Sequence, residues 1–312
     1  MVSCRSSGHA LLCAALAVLA ASTANTASAV PQPASLPRVL RFGVIAEEPN
    51  EPGKMLRVYG PLLARLREQL RPGGIELQPL VVTRDLDELA GCLTRGEVDF
   101  VIETVFPTLA LHEHGAKLAS DLVVLRGGKR EYHSVFFTRL DAPIRTLADL
   151  RGRTLVLQAL RSTSAFALPR AELARAGLAV VPADDALASK AAVRYLLAGS
   201  EVNQAVWVLH RRGDAGAFNE RDWATLPEKM RAQLRLFHET RPIIRGLLSF
   251  RAALDPGVRA RAREALLGLS ADDSGRAALA AAAGISRFEL LTAADRAEIG
   301  SWRAALRAVG AR

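Results

Sequence analysis

The sequence predicts an α/β chain of two lobes, each a mixed sheet flanked by helices, followed by a helical C-terminal tail. Three observations predict it. Strand-like apolar runs alternate with helix-periodic segments across residues 39–102. A second alternation begins at Thr154 and runs to about Leu236. Past His238 it gives way to one extended segment and three helical ones. Alternation of this kind builds a mostly parallel sheet covered by helices. With 312 residues, 50% of them hydrophobic, the chain is long enough for one large or two medium domains.

Each element has its local reason. Residues 39–46 are apolar enough for a strand, and an acidic loop containing Pro and Gly follows them. Met55, Leu56, Tyr59, Leu62, Leu63, Leu66 and Leu70 recur at helical spacing, and Arg71-Pro72-Gly73-Gly74 stops that helix. Residues 75–82 predict a second strand, 84–95 a helix ending before Gly96, and 98–102 a short buried strand. Residues 123–125 and 132–137 read as extended, and 147–150 as a short helical piece. In the second block the spacing predicts helices over 164–176, 186–198 and 201–211. Pro169 belongs in an opening turn, so regular helix is expected to begin a few residues after Ser164. Residues 243–250 read as extended, and helices are expected over 256–267, 273–282 and 292–308. The implied organisation is a leader over 1–29, a lead-in over 30–37, one lobe over 38–137, a second over 138–238, and a return to the first with the tail over 239–312.

The N-terminus predicts export. Arg5 precedes an apolar run at residues 10–21, and a small-residue stretch ends at Ala27-Ser28-Ala29. This is the layout of a cleavable leader, and the run falls short of the ~20 apolar residues of a membrane span. Cys13 stands at the start of that run, whereas a lipid-modified cysteine follows it. With the leader removed, Cys92 has no partner for an intrachain disulfide and is expected to be buried and inert. The formal charge is +9, and all but five of the 41 basic residues are Arg. They are scattered, with no basic block interleaved with aromatics, so no nucleic-acid partner is expected. The charge suits an anionic ligand.

The candidate chemistry centres on Arg161-Ser162-Thr163-Ser164, between an apolar run and a helical segment. A helix start leaves up to four N–H groups unpaired and carries about half a positive charge. Hydroxyls on the same turn add donors, and together they suit a tetrahedral oxyanion. A plain N-cap, which needs one hydroxyl, explains the same residues. Asp214, in Arg211-Arg212-Gly213-Asp214-Ala215-Gly216, could accept from a ligand or cap a turn. Glu201 could cap a helix or face a cleft. Glu47 lies on the loop after the first strand, and Thr104 and Phe106 at the carboxyl end of the strand at 98–102, where open α/β sheets bind ligands. His112 and His114, two apart, do not share a helix face, and no metal site, cofactor motif or hydrolase elbow is present. His133 beside Ser162 or Ser164 could imitate a catalytic pair.

The run Ile144-Arg145-Thr146-Leu147-Ala148-Asp149-Leu150-Arg151-Gly152-Arg153-Thr154-Leu155-Val156-Leu157, continuing to Ser162-Thr163-Ser164, resembles the phosphate, phosphite and phosphonate-binding proteins of ABC importers, the PhnD-like family. So do Tyr59-Gly60-Pro61-Leu62, Gly96-Glu97-Val98-Asp99-Phe100 and Gly213-Asp214-Ala215-Gly216, in the same order. The resemblance spans roughly residues 38–250. It implies a type II periplasmic binding protein fold, with two lobes and a two-stranded hinge, and makes Ser162, Thr163 and Ser164 the anion cradle. Three positions depart from the family pattern. Phe106 stands where a Tyr is common, Ala165 where a Gly is common, and Val202 where a Glu can hold the amino group of an aminophosphonate. The resemblance thus implies a periplasmic, monomeric, non-enzymatic carrier of a small anionic ligand, partnered by an ABC permease in the inner membrane. A receptor's ligand-sensing partner of the same fold and an exported serine hydrolase are the alternatives.

Overall fold

The computed structural model describes residues 38–46 and 52–308. The chain opens with β1 (Arg38–Leu40), β2 (Phe42–Ile45), α1 (Pro52–Leu70), β3 (Ile75–Leu77), β4 (Val81–Thr83), α2 (Leu86–Arg95), β5 (Phe100–Glu103), α3 (Val105–Glu113) and β6 (Leu118–Arg126). A short β7 (Glu131–Tyr132) leads to β8 (Ser134–Arg139) and β9 (Thr154–Leu157). Next come α4 (Leu168–Arg175), β10 (Val180–Pro182), β11 (Val193–Leu197), α5 (Glu201–Leu209), β12 (Ala215–Asn219), α6 (Glu220–Thr225), α7 (Glu228–Arg231) and β13 (Leu234–Glu239). β14 (Ile243–Ile244) leads back to β15 (Leu247–Arg251), α8 (Pro256–Gly268), α9 (Asp273–Ala281), β16 (Ile285–Leu290) and α10 (Ala293–Ala308).

These strands form two six-stranded mixed sheets, ordered β16-β6-β15-β5-β2-β4 and β10-β11-β9-β12-β8-β13. Each mixes parallel and antiparallel pairs, the helix-joined strands running parallel because a helix returns the chain to the same edge. The chain passes between the sheets twice. The two passages pair as an antiparallel ladder, with Ile243 opposite Tyr132 and Ile244 opposite Glu131. The expected lobe boundary at 137–138 falls inside β8, which belongs wholly to the second sheet.

Local chemistry explains most elements. Met55, Tyr59, Leu62, Leu63, Leu66 and Leu70 are all buried on one face of α1. Each contributes about 1.5–3 kcal/mol, which together outweighs the ~3 kcal/mol cost of Pro61 inside the helix. Their partners include Phe42, stacked on Phe100 at 4.7 Å and edge-on to Tyr59 at 5.2 Å. Asp85 caps α2 by accepting from the Glu88 N–H, and Gly96 closes it at φ 75°, the left-handed region a side chain would strain. Cys92 is buried, as expected, and burial pushes its thiol up.

Two expectations fail. Residues 186–198 are a turn followed by β11, not a helix. The segment Val193–Leu197 fills the gap between β9 and β10, with Tyr195 opposite both Leu155 and Pro182; tertiary pairing overrides the helical preference of Ala186, Ala188, Ala191 and Ala192 before it. The strand β16 was not anticipated. The span 75–82 breaks into β3 and β4, of which β3 pairs with β1 and β4 with β2.

The recurrent motif Gly96-Glu97-Val98-Asp99-Phe100 proves to be a fold device. Asp99, 1% exposed, accepts from the Arg41 backbone N–H at 3.0 Å and binds the guanidinium of Arg251 at 2.8 Å. It thereby joins the start of β2 to the end of β15. Replacing Asp99 by Ala strips one partner from a buried ion pair, and urea unfolding should show a loss of about 3 kcal/mol.

Candidate functional site

The turn after β9 is where helix geometry departs from the regular. Residues Thr163–Ala167 form a π-helical turn before α4. Its bonds run from the Ala167 N–H to the Ser162 carbonyl and from the Leu168 N–H to the Thr163 carbonyl. Pro169 supplies the reason. Without an N–H it cannot bond the Ala165 carbonyl, which accepts instead from Gln158 N–H at 3.0 Å. Regular helix begins at Leu168, a few residues after Ser164 as expected. Ser162 Oγ accepts from the Ala165 N–H at 3.1 Å, so the N-cap reading holds for this serine. The Thr163 and Ser164 N–H groups open the turn with no acceptor among the described residues.

This turn lines a cleft of about 760 Å³. The wall from the first sheet carries Ile45, Ile102, Glu103 and Thr104. The opposite wall carries Gln158, Ser162 to Ser164, Glu201 and Asn219. Tyr132 and Arg245, from the two passages between the sheets, complete it. Arg245 is only 8% exposed; its guanidinium lies 5.0 Å from the centre of the Tyr132 ring, and its Nε has no acceptor. No carboxylate of the described residues pairs with it. Burial pushes it below its ordinary value, against the pull of Glu220 and Tyr132, and Arg126 and Arg221 add repulsion. An arginine does not lose its proton in a protein. The result is a buried cation that feels Glu220 but makes no direct ion pair among the described residues, a place an anionic ligand can fill. Burial also pushes the Tyr132 phenol up to about 12, against the pull of Thr163, Arg245 and Ser164. It is therefore a proton donor at neutral pH.

The predicted residues part company here. Thr104, Ser162, Thr163, Ser164 and Glu201 all line the cleft. Thr163 nevertheless spends its hydroxyl elsewhere: its Oγ1 meets Thr104 Oγ1 at 2.8 Å and accepts from the Phe106 N–H at 3.1 Å. These bonds tie the second sheet's turn to the first sheet's β5–α3 junction. Phe106 packs its ring with Val105, Leu168 and Trp302 in a shared apolar cluster and lies outside the cleft lining. Asp214 is also outside it; its carboxylate accepts from the Thr154 N–H at 2.8 Å and faces Arg153. Asp214 thus fastens β12 to β9. Its neighbours Gly213 and Gly216 leave room for Val156 and Phe137, which a Cβ would meet at 2.3 Å in each case. Glu47 lies outside the described residues. His133 faces Glu239 rather than a serine.

Comparison with known proteins settles the family. The model of the family "ABC transporter, phosphonate, periplasmic substrate-binding protein" matches residues 42–296. The chain belongs to that family. XAC2383 from Xanthomonas citri, solved with chloride, is 33% identical, with a TM-score of 0.79 over 87% of this chain and 98% of its own. The same protein has been solved bound to ATP, at 31% identity and the same coverage. PhnD1 from Prochlorococcus marinus, in complex with methylphosphonate, shares the fold at 18% identity, TM-score 0.63, over 87% of this chain and 99% of its own. No curated protein matches. As a member of the phosphonate-binding family, the chain is a transporter's substrate-binding component with two mixed sheets and a C-terminal helix.

Sequence reading missed Tyr132, Asn219, Arg221 and Arg245. Each sits at a strand end or passage, and nothing local separates these arginines from the 36 in the chain. It also missed Asp222, beside the site. Asn219 Nδ2 donates to the Asp222 carboxylate and, at 3.4 Å, to Ser164 Oγ. Burial first, and then the charge of Glu201, push Asp222 up to about 7 from an ordinary 3.8. Between those values the folded protein holds a proton that the unfolded chain lacks. Stability therefore falls as pH rises through this window, and the full penalty stands above pH 7. Urea midpoints of Asp222→Asn relative to the parent should coincide near pH 4, diverge in the variant's favour up to pH 7, and then run parallel.

Proposed function

We propose that this protein captures a small phosphorus oxyanion of the phosphonate, phosphite or phosphate type in the cleft between its two sheets. Exported to the periplasm with its leader removed near Ala29, it delivers the ligand as a monomer to an ABC permease in the inner membrane. Family membership supports the transport role. The observation that carries the ligand class is Arg245, a buried cation without a carboxylate, beside a helix start whose N–H groups have no acceptor. An oxyanion supplies the charge one lacks and the acceptors the other needs. The ATP bound by XAC2383 supports a phosphorylated ligand and extends the class to phosphate esters.

The capture step follows from the geometry. The Thr163 and Ser164 N–H groups, the Ser164 hydroxyl and the Tyr132 phenol supply neutral donors, and Arg245 supplies charge. The ladder of β7 and β14 is the natural hinge, because it alone joins the sheets by backbone pairing. Among the described residues no histidine or carboxylate is bonded to Ser162 or Ser164, and family membership supports holding a ligand over attacking it.

Calorimetric titration should show saturable one-to-one binding of phosphate, phosphite, methylphosphonate or ATP, without turnover. Ser164→Ala should weaken it by about 1–3 kcal/mol, the worth of one hydrogen bond to a charged group. Ser162→Ala is the poorer probe because it also removes the N-cap. Unchanged affinity in Ser164→Ala would remove the helix start from the site, and hydrolysis of the ligand would replace the carrier with an enzyme.

A further inference from the structure

The proposed function uses one phosphoryl group, and the cleft holds more cationic chemistry than one can employ. Four arginines line it: Arg126, Arg161, Arg221 and Arg245. Arg161, Arg221 and Arg245 have no carboxylate partner among the described residues. Elsewhere arginines of comparable burial do, as in Arg130 with Asp295, Arg251 with Asp99 and Arg259 with Asp121. Arg126 donates to the Ala283 carbonyl, and the charges of Arg126 and Arg221 both bear on Arg245. The same lining holds two carboxylates, Glu103 and Glu201, so the four arginines leave it net positive, and the arrangement makes sense when an anion lies among them.

Donor counting points the same way. A terminal phosphoryl group offers three strongly accepting oxygens. The Thr163 and Ser164 N–H groups, the Ser164 hydroxyl and the Tyr132 phenol already match those three. Each arginine adds five N–H donors in a planar fork shaped for phosphate. Tyr132 links the two groups: its phenol interacts with Thr163 and Ser164 while Arg245 lies over its ring. Space agrees. Methylphosphonate has five heavy atoms, roughly 150 Å³ even at the 30 Å³ that liquid water gives each molecule. The cleft encloses about 760 Å³.

We propose that the ligand carries two adjacent phosphoryl groups, as an organic di- or triphosphate does, with one on the Ser162–Ser164 helix start and the next among Arg245, Arg221 and Arg126. This rests on the phosphorus-oxyanion reading of the cleft. The test titrates the purified full chain, in buffer free of divalent metal, with inorganic phosphate, methylphosphonate, pyrophosphate and adenosine diphosphate. Pyrophosphate and adenosine diphosphate should bind at least tenfold more tightly than phosphate or methylphosphonate. The exposed Arg221→Gln should remove most of that advantage and change phosphate affinity less than threefold, whereas Arg245→Gln should weaken all four ligands and the diphosphates most. Ser164→Ala should weaken all four ligands. Equal affinity for phosphate and pyrophosphate, or an advantage that survives Arg221→Gln, overturns the second subsite and leaves the single-oxyanion reading standing. Failure of all four probes to bind overturns that reading itself.

Discussion

The double passage between the sheets is the constraint on which the rest depends. Two segments, 127–133 and 240–246, must cross the same gap, and their short ladder forces them side by side. Each crossing strand has only the other as a neighbour, so its side chains face whatever the gap contains. Tyr132 and Arg245 are brought into the cleft in this way. Around the ladder, Leu125, Ile243, Ile244, Leu168, Ala171 and Trp302 form one apolar cluster drawn from both sheets and α10. Burying it costs the crossing its freedom to wander while leaving rotation about the ladder possible. The Thr163–Thr104 bond and the Phe106 N–H add a polar clasp at the same junction.

The π-helical turn is a second consequence of one residue. Had Pro169 been any other residue, its N–H could bond Ala165 and draw the segment into a regular helix from its first turn. Instead the Ala165 carbonyl is turned toward Gln158, at the end of β9. The wider turn sets the Thr163 and Ser164 N–H groups toward the cleft and sends the Thr163 side chain across to α3. Strand, turn and wall are thus fixed relative to each other by three hydrogen bonds, from Gln158, Ser162 and Thr163.

The fold was largely legible, because its evidence is local. Apolar periodicity marked α1, Gly96 marked the end of α2, and Pro169 predicted a late start for α4. The errors lie where pairing overrides propensity. Val193–Leu197 is a strand because two parallel neighbours need one there. The site was legible only in part, since a cleft gathers residues remote in sequence. Ser162 to Ser164 announced themselves as a hydroxyl cluster before a helix. Arg245 is an arginine between Ile244 and Gly246, and its meaning comes from burial and from having no direct ion pair among the described residues. Both are properties of the folded chain.

The three departures from the family pattern carry unequal weight once their surroundings are known. Ala165 is 1% exposed and packs with Val156 and Ala205 beneath the second sheet, so its methyl faces the core and does not narrow the cleft. The Phe106 ring lies in the cluster shared by the two lobes, and only its N–H serves the site, through Thr163; a missing hydroxyl at this position takes no donor from the ligand. Val202 is half exposed on α5, one residue past Glu201. The acid that does approach the cleft beside Glu201 is Asp222, raised toward neutral pH and held by Asn219. A carboxylate meant to hold a ligand's ammonium would be kept ionised, by exposure or by a neighbouring cation. Here burial and Glu201 push the opposite way. Arg245 and Arg221 pull the other way but less than burial does, so Asp222 offers an amine less fixed charge than an ionised carboxylate would.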